Sequence, residues 1–138
     1  MSNFLKPGSE EERRARYRVT LASRPDPGPE GLGYEAAGAG GLLLWSRVSH
    51  VIAAEVGEPE GVRAIVFDLL CEEDEGWRVL RLDAEPGEEA MELAQAIQRH
   101  TPPGSQAASL KSVATDGIPT RWFPDLVSFE EAALSEIR

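Results

Sequence analysis

The stretch Val62 to His100, "VRAIVFDLLCEEDEGWRVLRLDAEPGEEAMELAQAIQRH", changes its hydrophobic period once, and that change constrains the fold more than any other feature. In "VRAIVFDLL" the period is two: Ile65, Phe67 and Leu69 share one face, and Val62, Ala64, Val66 and Asp68 share the other. "WRVLRLD", residues 77–83, alternates in the same way, with Arg78, Leu80 and Leu82 against Trp77, Val79 and Arg81. The acidic run "CEEDEG" between them is a short polar loop, so the two runs predict an antiparallel hairpin. After Pro86 and Gly87 the period becomes helical. Ala90, Leu93, Ala94 and Ile97 form one apolar stripe with Met91 at its margin. Glu88 and Glu89 lie in the first turn, where the helix dipole favours anions, and Arg99 and His100 lie at the C-terminal end, where it favours cations. "TPPGSQ" stops the helix. A half-apolar sheet followed by an amphipathic helix must bury the two faces together. The predicted core is therefore Ile65, Phe67, Leu69, Leu80, Leu82, Leu93 and Ile97.

The rest of the chain extends this unit. Residues 1–15 are polar and charged and read as a flexible N-terminal arm. Tyr17, Val19 and Leu21 alternate with Arg18, Thr20 and Ala22, which predicts a half-buried strand. "SRPDPGPEGLG", residues 23–33, is dense in Pro and Gly and reads as a loop. "LLLWSRVSHVIAAEV", Leu42 to Val56, is apolar, and its period suits either helix or strand. Its β-branched residues favour strand, mainly buried, with Trp45 in the core. Val48 and Val51 lie three apart, so a kink within "WSRVSH" is expected, turning Arg47, Ser49 and His50 to water. "GEPEG", residues 57–61, is a turn. "SLKSVATDG" reads as a short helix stopped at Gly117, and "SFEEAALSEIR" as a closing helix with a capping box of Ser128 and Glu131. Phe129, Ala132, Ala133 and Ile137 are its predicted apolar face.

The chain has 138 residues, the length of one domain, with 41% hydrophobic and 28% charged residues, a globular composition. The formal net charge of −10 repels phosphate backbones and anionic lipids, so neither nucleic acid nor membrane is the expected partner. A basic protein partner suits this charge, with the chain a monomer or homodimer. No run approaches the roughly 20 apolar residues of a membrane span, and no signal peptide is visible at the start. One cysteine, Cys71, makes no disulfide framework, and a reducing cytoplasm is the expected compartment.

Several strands followed by one amphipathic helix is a layout that resembles the bacterial pleckstrin-homology-like (PH-like) family. "LLLWSRVSHVIAAEV" is similar to its early-middle strand pattern, and "WRVLRLDAEPGEEAMELAQAIQRH" to its last strand running into the capping helix. The resemblance implies an α+β fold: a bent antiparallel β-sheet or partial barrel over residues 16–100, capped by a helix. Residues 101–138 then form an appended helical tail packed on the same domain. The family is mostly a scaffold that binds peptides, proteins or phosphoinositides. Its lipid-binding version uses a basic loop between the first strands. "SRPDPGPEGLG" holds a single arginine there, so lipid binding is not implied.

No catalytic motif stands out. His50 and His100 are far apart in sequence, and a metal site wants several ligands at fixed spacing, so no metal is expected. Cys71 sits beside Glu72, Glu73 and Asp74, which blunt a thiolate. "GAGG", residues 38–41, lacks the third glycine of a dinucleotide loop and the Lys-Ser/Thr of a P-loop, so no cofactor is expected. The segment "RWFPDLVSF" gathers aromatic and aliphatic side chains near two prolines. Arg121, Trp122, Phe123 and Leu126 are the candidate partner-binding residues, since Trp and Arg are frequent interface anchors; the competing reading is that they pack the tail onto the sheet. The expected function is a non-catalytic cytoplasmic adaptor or regulatory protein-binding module. The alternatives are an acidic dimeric chaperone of the secretion type, or a small enzyme without a recognisable motif.

Overall fold

Three hydrogen-bonded strands, β5 (His50–Gly57), β6 (Arg63–Glu73) and β7 (Gly76–Ala84), form the antiparallel centre of the molecule. The computed structural model describes residues 16–57, 60–74 and 76–137; the expected N-terminal arm, residues 1–15, lies outside them. β1 (Tyr17–Leu21) adds to β7 and β8 (Trp122–Phe123) adds to β5, both parallel, giving a five-stranded sheet in the order β1-β7-β6-β5-β8. A second sheet of β2 (Ser23–Pro27), β3 (Gly31–Ala36) and β4 (Ala39–Leu44) is antiparallel throughout. Three helices are described: α1 (Glu88–His100), α2 (Ala108–Asp116) and α3 (Leu126–Glu136). The fold is α+β, with two open sheets and a C-terminal helix.

The period-two pattern explains why the central sheet carries layers on both faces. Val51, Ala53, Ile65, Phe67, Leu69, Leu80, Leu82 and Ala84 point to one side, where α1, α2 and the small sheet cover them. All seven predicted core residues lie in this cluster. Ile52, Ala54, Val56, Val66, Leu70 and Val79 point to the other side and pack under Phe129, Ala133 and Leu134 of α3.

Residues 101–137 complete the edge of β5. Ala107 N–H donates to the Val51 carbonyl at 3.1 Å, Ala53 N–H to Ser109 Oγ at 3.3 Å, and Glu55 N–H to the Arg121 carbonyl at 3.1 Å. The outward main-chain groups of a central strand are thus satisfied by the chain's own last third, as buried backbone requires.

Three local expectations are corrected. Residues 23–33 are not a loop: they hold β2 and the start of β3. β2 is an exposed edge strand, where Pro25 and Pro27 are tolerated because their missing N–H groups break no internal ladder. Leu42 to Val56 is strand, as expected, and is interrupted by a 3₁₀ turn at Trp45–Arg47, which puts both Val48 and Val51 in the core. Trp45 is only 4% exposed and donates from its indole N–H to the Gly28 carbonyl at 2.7 Å. Leu42 and Leu44, however, face outward. Finally, α3 starts at Leu126, not Ser128. Its cap is Asp125, whose carboxylate accepts from the Ser128 N–H at 2.8 Å.

Candidate interaction surface

β8 is two residues long, and its alternation splits the predicted patch. Phe123 turns inward against the α3 face, its ring 5.7 Å from that of Phe129 and nearly edge-on. Arg121 lies 5.2 Å over the Phe123 ring and donates to the Glu136 carboxylate at the far end of α3. These two residues fasten the tail. Trp122 turns outward and is 52% exposed, with the Arg63 guanidinium 6.0 Å over its ring. Arg63 also pairs with Glu55 at 3.8 Å. Leu126 is exposed in the first turn of α3, with Val127 beside it. Of the four candidates, the structure leaves Trp122 and Leu126 available to a partner.

Tertiary structure adds neighbours that linear reading did not associate with them. The start of β6, the end of β7 and the end of β1 meet at one end of the main sheet. A cavity of about 370 Å³ there is lined by Val62, Arg63, Ala64, Asp83, Ala84, Glu85 and Glu89. A second, of about 230 Å³, is lined by Leu21, Ala22, Val66, Arg81, Leu82, Asp83 and Leu126. Asp83 borders both. Leu21, Val62, Trp122 and Leu126 are all exposed hydrophobic side chains. Leu21, Val62 and Leu126 border the two cavities with the carboxylates of Asp83, Glu85 and Glu89, and Trp122 adjoins them through Arg63.

Beneath it lies a buried polar cluster. Arg81 donates from Nε to Asp68 Oδ1 at 2.8 Å and from Nη2 to Asp68 Oδ2 at 2.9 Å. Tyr17 donates its hydroxyl to the same carboxylate at 2.6 Å. Glu130 of α3 approaches Arg81 at 3.8 Å. Burial, and then the Asp68 carboxylate, hold the Tyr17 phenol far above its ordinary range. Burial opposes the charge on Arg81, yet its hydrogen bond to Asp68 and their attraction raise its pKa. The two central residues face each other in the β6–β7 register. That pairing was the available signal: one carboxylate and one guanidinium, each inside an apolar strand, at matching positions of a hairpin.

Both histidines are half-buried and packed against an aromatic ring. His50 is half-buried, its ring edge-on to Trp77 at 5.2 Å, and among the described residues its Nδ1 has no hydrogen-bond partner. The expectation that it faces water is corrected in part: Trp77 packs on the ring, and His50 borders an open cavity of about 360 Å³ with Gln106, Glu136 and Ile137. His100 stacks on Trp45 at 5.2 Å. Burial pushes the Cys71 thiol up, away from a reactive thiolate. Among the described residues no three His, Cys, Asp or Glu side chains converge, and no helix is long and apolar enough to cross a membrane. Comparison with protein-family models, with curated proteins and with solved structures finds no significant match to this chain.

Proposed function

We propose that this protein is a non-catalytic protein-binding module, an adaptor or regulator of the PH-like kind working in a reducing cytoplasm. One observation carries the reading: Leu21, Val62 and Leu126 are exposed around two cavities that share Asp83, beside Glu85 and Glu89, and the exposed Trp122 lies against Arg63 of the same lining. Single exposed hydrophobics are ordinary, but several gathered about one rim mark a contact site. Trp122 is the anchor, because a large half-exposed indole gains most from being covered. The carboxylates select a partner segment that mixes apolar and basic residues, and the net charge of −10 steers it in.

The test is affinity capture from native extract with the wild-type chain, Trp122→Ala, and a combined Asp83→Asn, Glu85→Gln, Glu89→Gln variant. A partner held by the wild type should be lost with Trp122→Ala and should bind the charge variant more weakly and with less salt dependence. An unchanged set of captured proteins, with both variants folded, would refute the assignment.

A further inference from the structure

The β3–β4 hairpin leaves one edge of the small sheet open, and its chemistry differs from that of β2 at the other edge of the same sheet. β5 is sealed by residues 106–109 and by β8. β2, the far edge of the small sheet, carries Pro25, Pro27, Arg24 and Asp26 and an irregular register, all devices that discourage strand addition. β4 has none of them. From Ala36 to Ser46 there is no charge and no proline. Among the described residues, nothing but β3 pairs with it.

The register identifies which groups are free. Ala37 and Gly38 have φ of 52° and 81°, the left-handed pair of a two-residue turn. Ala36 and Ala39 therefore form a hydrogen-bonded pair, and the ladder alternates from there. The Trp45 N–H to Glu30 carbonyl bond of 3.1 Å continues that alternation. Gly40, Leu42 and Leu44 thus point their N–H and C=O groups outward along the open edge. The same residues place their side chains on the outer face, where Leu42 is 60% and Leu44 42% exposed.

We infer that β4 pairs antiparallel with β4 of a second copy, about a two-fold axis at Leu42. In that register Leu42 faces Leu42, and Leu44 of each copy lies over the bare Gly40 of the other. Each outward residue exchanges both main-chain groups with its opposite. A neutral strand is the place where two chains of net charge −10 approach at least cost. An isologous pair closes on itself and does not propagate.

Sedimentation velocity across a concentration series tests this. The wild type should show a reversible monomer–dimer equilibrium that tightens as salt is added. Leu42→Pro removes an outward donor without breaking a bond to β3, and Leu42→Lys places two like charges across the axis. Each should weaken self-association by about tenfold or more, with a thermal melt unchanged at concentrations where the wild type is monomeric, whereas Trp122→Ala should leave it intact. Cross-linking gives a second readout. Residues in a hydrogen-bonded antiparallel pair have Cα atoms about 5.5 Å apart, within disulfide reach. Leu42→Cys should therefore form a covalent dimer on mild oxidation, and Leu21→Cys, at a still more exposed position, should not. A wild type that stays monomeric at high concentration, or a dimer that survives both Leu42 variants, overturns the inference.

Discussion

At the residue scale, the most consequential side chains are the buried Asp68, Arg81 and Tyr17. A buried pair contributes little net stability over an apolar substitute, but removing one partner strands the other's charge. Arg81→Ala should therefore cost about 3–5 kcal/mol in urea melts, and Asp68→Leu combined with Arg81→Met should recover most of it. A double variant as unstable as the single one would show that the pair does more than neutralise itself. Tyr17 adds a pH dependence. Its folded pKa is raised above the ordinary 10.0, so the unfolded chain releases this proton first as pH climbs. Its contribution to stability is complete below about pH 10 and declines above it. Urea midpoints taken through that range should fall more steeply for the wild type than for Tyr17→Phe. The apolar alternation around these residues was plain in the sequence. Their mutual contact was not, because Tyr17 reaches Asp68 only through the parallel β1–β7 pairing, a long-range choice with no local signature.

At the element scale, α3 is the piece whose start is most exposed to perturbation. The Ser128 N–H bond holds the Asp125 carboxylate below its ordinary range. A lowered folded pKa means that this contribution is present above about pH 4 and is lost as pH falls through the folded value. Asp125→Ala should lower the melting temperature at neutral pH, and the gap to the wild type should close in acid. A gap that persists unchanged in acid would mean that the cap is not the source. In the central hairpin, Phe67 is fully buried in the cluster between the sheet and α1. Phe67→Ala should cost about 3–5 kcal/mol, read by urea melts; a parent-like midpoint would contradict the assigned faces. The strong elements, β6, β7 and α1, follow from long periodic runs. β2–β4 were obscured because prolines at an edge look like a loop, and because the β3–β4 turn uses Ala-Gly where Asn-Gly would have announced a hairpin.

At the scale of the whole molecule, the charge of −10 bears on both stability and encounter. Self-repulsion opposes the compact state, and salt screens it over roughly 10 Å at 0.1 M. Moderate sodium chloride should raise the melting temperature, and a melt that falls with salt would show that attractive ion pairs outweigh the repulsion. Capture of a basic partner should weaken over the same salt range, while pairing through the neutral β4 edge should strengthen. The two surfaces are thus separable by one titrant, since one relies on charge and the other avoids it.

The α+β class was what the resemblance of layout implied, while local pattern determined the β6–β7 hairpin, the face of α1 that is buried, the burial of Trp45 and the break within residues 45–50. Each rests on side-chain period and turn chemistry within a short window, which the chain writes directly. Only the tertiary structure decided that residues 101–137 seal the β5 edge, that Phe123 and Arg121 fasten while Trp122 and Leu126 face out, that Asp83 borders a cavity with Leu126, and that Arg63, beside Trp122, borders one with Asp83, Glu85 and Glu89. Those outcomes depend on which distant strands share a sheet. That is set by the requirement that every buried main-chain group and every apolar face find a partner, and no single segment states it.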